Sequence, residues 1–173
     1  MEEVNRKETD QNTTKTMPDL EGEHEVQEDQ DLIRLRVSTT SLSRPALLGI
    51  GVAIKRMTNG ATDSWALKDR SYGNKNIDAA SAVRFVLCKA LERGWCNIRI
   101  QIQNKDLLRQ IMHGKSSDCR LTTILEDILS LKSLFRMCSF CLDSNDDSNA
   151  NVNISSYGLG ILLDEKSLFP LCY

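Results

Sequence analysis

The hydrophobic and polar positions of this chain alternate in some stretches and follow a helical period in others. Alternation with a period of two, or a short apolar run bounded by turn residues, predicts a strand. Five stretches fit that description: 31–39, 47–56, 63–69, 97–103 and 135–142. The second of them is almost entirely apolar, which predicts an internal strand of a sheet. The dipeptide Asn59–Gly60, between the second and third stretches, is typical of a tight hairpin.

Apolar residues recur every three or four positions in three further stretches, 77–95, 105–112 and 121–135, which predict amphipathic helices. A weaker helix, interrupted by two glycines, is predicted after the polar loop 143–153. The predicted order is therefore β-β-β-α-β-α-α-β-α. Hairpin-linked strands followed by a strand–helix–strand crossover predict an α/β fold, in which a mixed five-stranded sheet is flanked by helices.

The charged residues divide the chain into an acidic beginning and a mildly basic remainder. Residues 1–31 contain eleven acids and three bases, a net charge of −8, whereas the remainder contains thirteen acids and nineteen bases, a net charge of +6. The first segment lacks apolar periodicity and cannot offset its ordering entropy. We therefore predict a disordered acidic tail over 1–30, a domain over 31–165 and a C-terminal extension over 166–173.

The lengths of the apolar segments predict the compartment. No apolar run approaches the ~20 residues that a membrane span needs, and the first residues have no apolar segment typical of a signal peptide. We therefore expect an intracellular protein of the cytoplasm or nucleus, not secreted and without a membrane partner.

Cysteine and histidine are the residues that would suggest a metal site. Cys138 and Cys141 have the spacing of a zinc knuckle, but residues three apart in a strand point to opposite faces of the sheet. Because no second pair with this spacing exists, we interpret them as buried strand cysteines. His113 precedes Gly114 at a predicted helix end, where an imidazole interacts with the helix dipole.

The strand-to-helix junction at 97–111 is the stretch that most suggests a family. Together with the glycine-containing strand Gly49–Ile54, the helix end Ala90–Trp95 and the turn Ile111–Ser117, it resembles the ribonuclease H-like superfamily. The pattern is most similar to the reverse-transcriptase-like ribonuclease H domain of plant genomes, over residues 31–165. This resemblance implies an activity on RNA–DNA hybrids, with two magnesium ions held by four acidic residues.

Carried over by local spacing, the four acidic positions of that family fall on neutral residues here. They fall on Ser38 (with Thr39 and Thr40 as alternatives), Ala79, Gln103 and Ser155. Two divalent cations ~4 Å apart repel each other by ~16 kcal/mol at an effective dielectric constant of 20, which about four carboxylates offset in an acid-lined site. Neutral side chains offset none of it. We therefore expect a degenerate site that binds no magnesium or other cofactor and does not catalyse hydrolysis.

Other acids near these positions leave a displaced metal site as an alternative. They are Asp78, Asp106, Asp143, Asp146 and Asp147. We interpret the first two as first-turn residues that interact with helix dipoles, and the other three as solubilising loop residues. A hybrid ribonuclease built on these acids is the least favoured of the functions considered.

Three functions thus compete. The first is a non-catalytic nucleic-acid-binding module that contacts RNA or an RNA–DNA hybrid weakly through its phosphates. Its candidate binding residues are Lys68, Arg70, Lys75, Lys105, Arg109, Lys115 and Arg120. In this case the acidic tail could compete with nucleic acid for a basic face. The second is a protein-interaction or structural module that retains only the fold, and the third is the ribonuclease with a displaced metal site.

Overall fold

The computed structural model describes residues 32–143, which form five strands and three helices. The strands are β1 (Ile33–Leu42), β2 (Leu47–Arg56), β3 (Thr62–Arg70), β4 (Asn97–Ile102) and β5 (Met137–Leu142), and the helices are α1 (Lys75–Glu92), α2 (Lys105–His113) and α3 (Cys119–Lys132). The elements predicted for this range are all present, in the predicted order. The predicted acidic tail, the last predicted helix and the extension over 166–173 lie outside the described residues.

The strands form one mixed sheet in the order β3-β2-β1-β4-β5, which confirms the predicted α/β fold class. β2 pairs antiparallel with β1 and β3, and β4 pairs parallel with β1 and β5. The apolar β2 is an internal strand, as its sequence predicts. The carboxyl ends of β1, β3, β4 and β5 lie at the same end of the sheet, which we call the strand-tip end.

Apolar residues at alternate positions of the central strands build the core on one face of the sheet. Leu35, Leu48, Ile50, Ile98 and Ile100 are fully buried there. α1 packs across β1 and against α3, while α2 contacts β5. Within the described range no helix is both long and apolar enough to cross a membrane.

Helices α1 and α3 begin two residues earlier than their apolar spacing predicts, because polar side chains cap them. The Asn74 side chain accepts hydrogen bonds from the backbone N–H groups of Asn76 and Ile77. The Asp118 side chain likewise accepts from the N–H of Arg120. β1 also extends beyond its predicted end, because its last residues continue to pair with β2.

Candidate nucleic-acid interface at the strand tips

The ends of β1 and β4 meet the start of α1 around an open cleft of about 380 Å³. The buried part of its lining is apolar and includes Val37, Val83 and Ile102, together with Ala79. The rest of the lining comprises Thr39, Ser41, Lys75, Gln103 and Asn104. Lys75 is the only charged residue in the described lining. Open α/β sheets bind ligands outside the carboxyl ends of their strands, which is where this cleft lies.

The structure brings together two of the four positions that the resemblance aligns with catalytic acids. Ala79 and Gln103 both line the cleft. Ser38 is instead 2% exposed, and its hydroxyl donates to a backbone carbonyl oxygen of β2 at 3.3 Å. Thr39, one of its two alternatives, lines the cleft. Ser155 lies outside the described residues.

Asp78, next to Ala79, is a buried carboxylate that joins three segments of the chain. Its Oδ2 accepts hydrogen bonds from the hydroxyls of Ser41 at 2.8 Å and Ser71 at 2.6 Å, and its Oδ1 accepts from the backbone N–H of Tyr72 at 2.8 Å. The residue lies in the first turn of α1, as predicted, and is only 1% exposed. Both oxygens of its carboxylate therefore accept hydrogen bonds from other groups of the protein.

Asn104 fixes the tip of β4 against the start of α1. Its side-chain oxygen accepts from the backbone N–H of Leu107 at 3.0 Å and so caps α2. Its side-chain nitrogen donates to the Asn76 oxygen at 2.7 Å. The two walls of the cleft are thus held together by a side-chain hydrogen bond between neutral amides.

Four further acids belong to the alternative of a displaced metal site. Two of them form ion pairs, and two lie outside the described residues. Asp106 is exposed in the first turn of α2, as predicted, and pairs with Arg109 at 3.4 Å. The prediction that Asp143 is a solubilising loop residue is wrong, because its side chain is 2% exposed and pairs with Arg36 at 3.3 Å. The other two, Asp146 and Asp147, lie beyond the described residues.

The cleft as described does not fit a pair of magnesium ions. Its lining offers hydroxyl and amide groups and one lysine, whereas magnesium prefers carboxylates. Across residues 32–143, no three His, Cys, Asp or Glu side chains are grouped as metal ligands could be.

Five cations lie at the strand-tip end of the sheet, and one of them lines the cleft. They are Arg44 in the β1–β2 turn, Lys68 and Arg70 near the end of β3, Lys75 at the start of α1 and Lys105 at the start of α2. By the strand register, Lys68 and Arg70 belong to the face of the sheet opposite to the cleft residue Thr39. We call these five residues the tip cations. All are exposed, and none forms an ion pair with a residue of the described chain. Two exposed acids, Asp69 and Asp106, lie beside them in the sequence, so these exposed described residues keep a net positive charge.

Four of the seven cations suggested by the sequence belong to this group. Of the other three, Arg109 and Arg120 each pair with a neighbouring aspartate. Lys115 follows α2, whose nine residues carry it about 13 Å from the tips. Arg44 was not among the cations suggested by the sequence, although its position in the turn directly after β1 places it at the strand-tip end. The sequence analysis also missed Tyr72, an aromatic that is 48% exposed before α1.

Cys138 and Cys141 lie on opposite faces of β5, as predicted, but both are only partly buried, so the prediction that they are buried is wrong. Cys138 lies opposite Ile98 and packs against the core, whereas Cys141 lies opposite Gln101 on the other face. Burial raises the pKa of the Cys138 thiol to about 11, so this thiol is protonated at neutral pH. His113 is the last residue of α2, before a left-handed glycine.

Comparison with known proteins identifies the fold. Ribonuclease H1 from the halophilic archaeon Halobacterium salinarum NRC-1 has a TM-score of 0.67 at 13% identity, over 76% of this chain and 99% of that chain. LC11-RNase H1, isolated from compost by a metagenomic approach, has a TM-score of 0.62 at 14% identity, over 78% and 99%. The foamy viral protease-reverse transcriptase has a TM-score of 0.55 at 12% identity, over 75% and 92%.

Sequence comparison adds nothing to these structural matches. No family model matches the sequence, and no curated protein matches it either. At identities this low, structural similarity establishes fold and not activity. The described chain has a ribonuclease H-like fold.

Proposed function

We propose that this chain is a non-catalytic nucleic-acid-binding module, in which the tip cations contact backbone phosphates. The observation that supports this proposal is the combination of unpaired cations at the strand tips with a cleft whose described lining contains no carboxylate. Two of the structural neighbours have been solved with nucleic acid: LC11-RNase H1 with an RNA/DNA hybrid and the foamy viral protein with double-stranded DNA.

Electrostatics favours phosphate as the ligand of this surface. A cation that already has a carboxylate partner must lose that partner to bind a phosphate, whereas an unpaired cation releases only weakly held counterions. The tip cations are unpaired within the described chain, whereas Arg84 and Lys89 of α1 and Arg93, just after it, each have an acidic partner. Tyr72, exposed between the tip cations of β3 and α1, adds an aromatic ring on which a base can stack.

A protein-interaction module is the second candidate. Two apolar side chains are well exposed, Met112 at 71% and Leu134 at 67%. Single exposed apolar residues are common on soluble proteins, however, and are weaker support than a set of unpaired cations at one end of a sheet.

The binding half of the proposal is tested by fluorescence anisotropy with a short labelled RNA–DNA hybrid. Affinity should fall with increasing salt, with a log–log slope of about −3 to −4.5 for three to five phosphate contacts. Changing Lys68 and Arg70 together to Gln should lower the affinity and make the slope shallower by about 2. The control changes Lys55, which is exposed at the opposite end of the sheet, to Gln and should leave both quantities unchanged.

The non-catalytic half is tested by incubating the same hybrid with purified protein and magnesium or manganese. We expect the hybrid to stay intact. Cleavage that co-purifies with the protein and disappears in the variant Asp78→Asn would show a displaced metal site and refute this half. Absence of binding at low salt would refute the first half and leave the protein-interaction module as the better candidate.

A further inference from the structure

Three donor side chains of the cleft have no partner within the described chain. Thr39, Lys75 and Gln103 make no hydrogen bond or ion pair with a described residue. In contrast, the Ser41 hydroxyl donates to Asp78, and both polar atoms of the Asn104 amide are used. The groups that remain available are an ammonium, an amide and a hydroxyl, all of which can donate hydrogen bonds.

The charge of the cleft is opposite to that of an acid-lined metal site. Its described lining contributes one positive charge and no negative one. The nearest acid, Asp78, has its oxygens hydrogen-bonded by three donors and is 1% exposed, so it presents no free carboxylate to the cleft. Lys75 is also the first residue of α1, where the helix dipole adds positive potential. Such a cleft attracts an anion and repels a metal ion.

The cleft is large enough for a phosphate with part of its nucleotide, since its volume of about 380 Å³ lies within the range of small-molecule sites. The lining also includes the apolar residues Val37, Ala79, Val83 and Ile102. This surface can accept a sugar, while the donors hold the phosphate oxygens.

We propose that this cleft binds one backbone phosphate of the nucleic acid directly. Lys75 supplies the positive charge, and Gln103 and Thr39 supply neutral hydrogen-bond donors. This inference rests on the proposed function and adds a specific site to it. The positive charge of the lysine thus offsets the negative charge of the phosphate, as metal ions do in an acid-lined site. Binding should therefore need no divalent cation.

The test measures hybrid affinity for the full chain in EDTA and again with magnesium. We expect binding in EDTA and no increase in affinity when magnesium is added, since magnesium can only compete with the protein's cations for phosphate. The variant Lys75→Gln should weaken binding about tenfold, the value of one charge-assisted hydrogen bond to phosphate, and should reduce the salt slope by about 0.9. Lys55→Gln, at the opposite end of the sheet, is the matched control and should bind like the parent protein. Gln103→Glu, which retains the side-chain size but adds a negative charge, should weaken binding in EDTA at least as much as Lys75→Gln.

Inorganic phosphate gives a readout that does not depend on the nucleic acid. In an amide NMR titration it should shift the signals of Thr39, Lys75 and Gln103, and Lys75→Gln should abolish those shifts.

Failure of this inference can be distinguished from failure of the proposed function. If the hybrid binds but Lys75→Gln behaves like Lys55→Gln, or if magnesium is required, the cleft site is refuted while the binding module remains. If the hybrid does not bind at low salt, the proposed function is refuted together with the site.

Discussion

The two ends of α1 are held in place by different kinds of interaction. At its start, the carboxylate of Asp78 accepts three hydrogen bonds from β1 and the β3–α1 loop. At its end, the rings of Trp65 and Trp95 stack with their centroids 5.6 Å apart and an interplanar angle of 12°. The guanidinium of Arg93 lies 4.4 Å from the Trp65 ring centroid. Polar contacts therefore hold the end that borders the cleft, and aromatic packing holds the opposite end.

The two ends of α1 should therefore contribute differently, one mainly to stability and the other mainly to binding. Both tryptophans are less than 10% exposed, so the end of α1 contributes apolar burial to the core. The exposed residues at its start, such as Lys75, contribute little apolar burial and remain available to a ligand. Substitutions at the aromatic end should therefore affect mainly stability, and substitutions of exposed residues around the cleft should affect mainly binding.

The largest effect is expected from Trp65→Ala at the aromatic end. Removing a buried indole leaves a cavity and one unstacked partner ring, and should lower the free energy of unfolding by about 3–5 kcal/mol. The measurement is urea denaturation followed by circular dichroism. Tyr72→Ala, which removes a half-exposed ring at the other end of the helix, is the control and should cost under about 1 kcal/mol. Equal losses for the two variants would contradict the division between the ends.

A smaller loss of stability is expected from Asp78→Asn at the polar end. An asparagine has one side-chain acceptor oxygen in place of two and carries no charge, so it cannot satisfy all three donors in the same way. The free energy of unfolding should fall by about 1–3 kcal/mol. The control is Asp106→Asn, an exposed first-turn acid of α2, which should change it by less than about 0.5 kcal/mol. Similar urea midpoints for these two variants would show that the Asp78 hydrogen bonds contribute little.

The sequence was sufficient to predict the elements of both ends, because each element has a clear local pattern. Alternation in β1 and β4 and the helical spacing of α1 placed these elements and their order correctly. The resemblance to the ribonuclease H-like superfamily also placed Ala79 at the start of α1 and Gln103 at the end of β4, and both line the cleft. Properties that depend on neighbouring residues in the chain could thus be predicted.

The contacts between distant residues could not be predicted in this way. Asp78 receives a hydrogen bond from Ser41, 37 residues earlier, and nothing in the local sequence distinguishes it from an ordinary first-turn acid. The stacking of Trp65 on Trp95 likewise depends on how β3 and the end of α1 meet in space. Burial of Asp143 beside Arg36 was missed for the same reason, since these residues meet only across the sheet.

The smallest effect is expected from Arg93, whose guanidinium lies over the rings of both tryptophans. Replacing it tests whether this cation stabilises the aromatic end of α1. Arg93 and Arg84 both belong to the α1 region and have similar side-chain exposure, 41% and 39%. Arg93 contacts two aromatic rings and pairs loosely with Asp63 at 3.8 Å, whereas Arg84 has a shorter ion pair of 2.9 Å with Asp127. Arg93→Gln should therefore lower the free energy of unfolding by about 0.5–1 kcal/mol through the lost cation–π contacts, and Arg84→Gln by less than about 0.5 kcal/mol.

Urea denaturation in low and high salt separates the two contributions in these variants. An exposed ion pair weakens as salt screens it, whereas contact of a guanidinium with an aromatic face retains its packing component. The loss for Arg93→Gln should consequently persist in high salt, and that for Arg84→Gln should shrink. If Arg84→Gln costs as much as Arg93→Gln in both buffers, the cation adds nothing to the stacked rings, and apolar burial alone holds the end of α1.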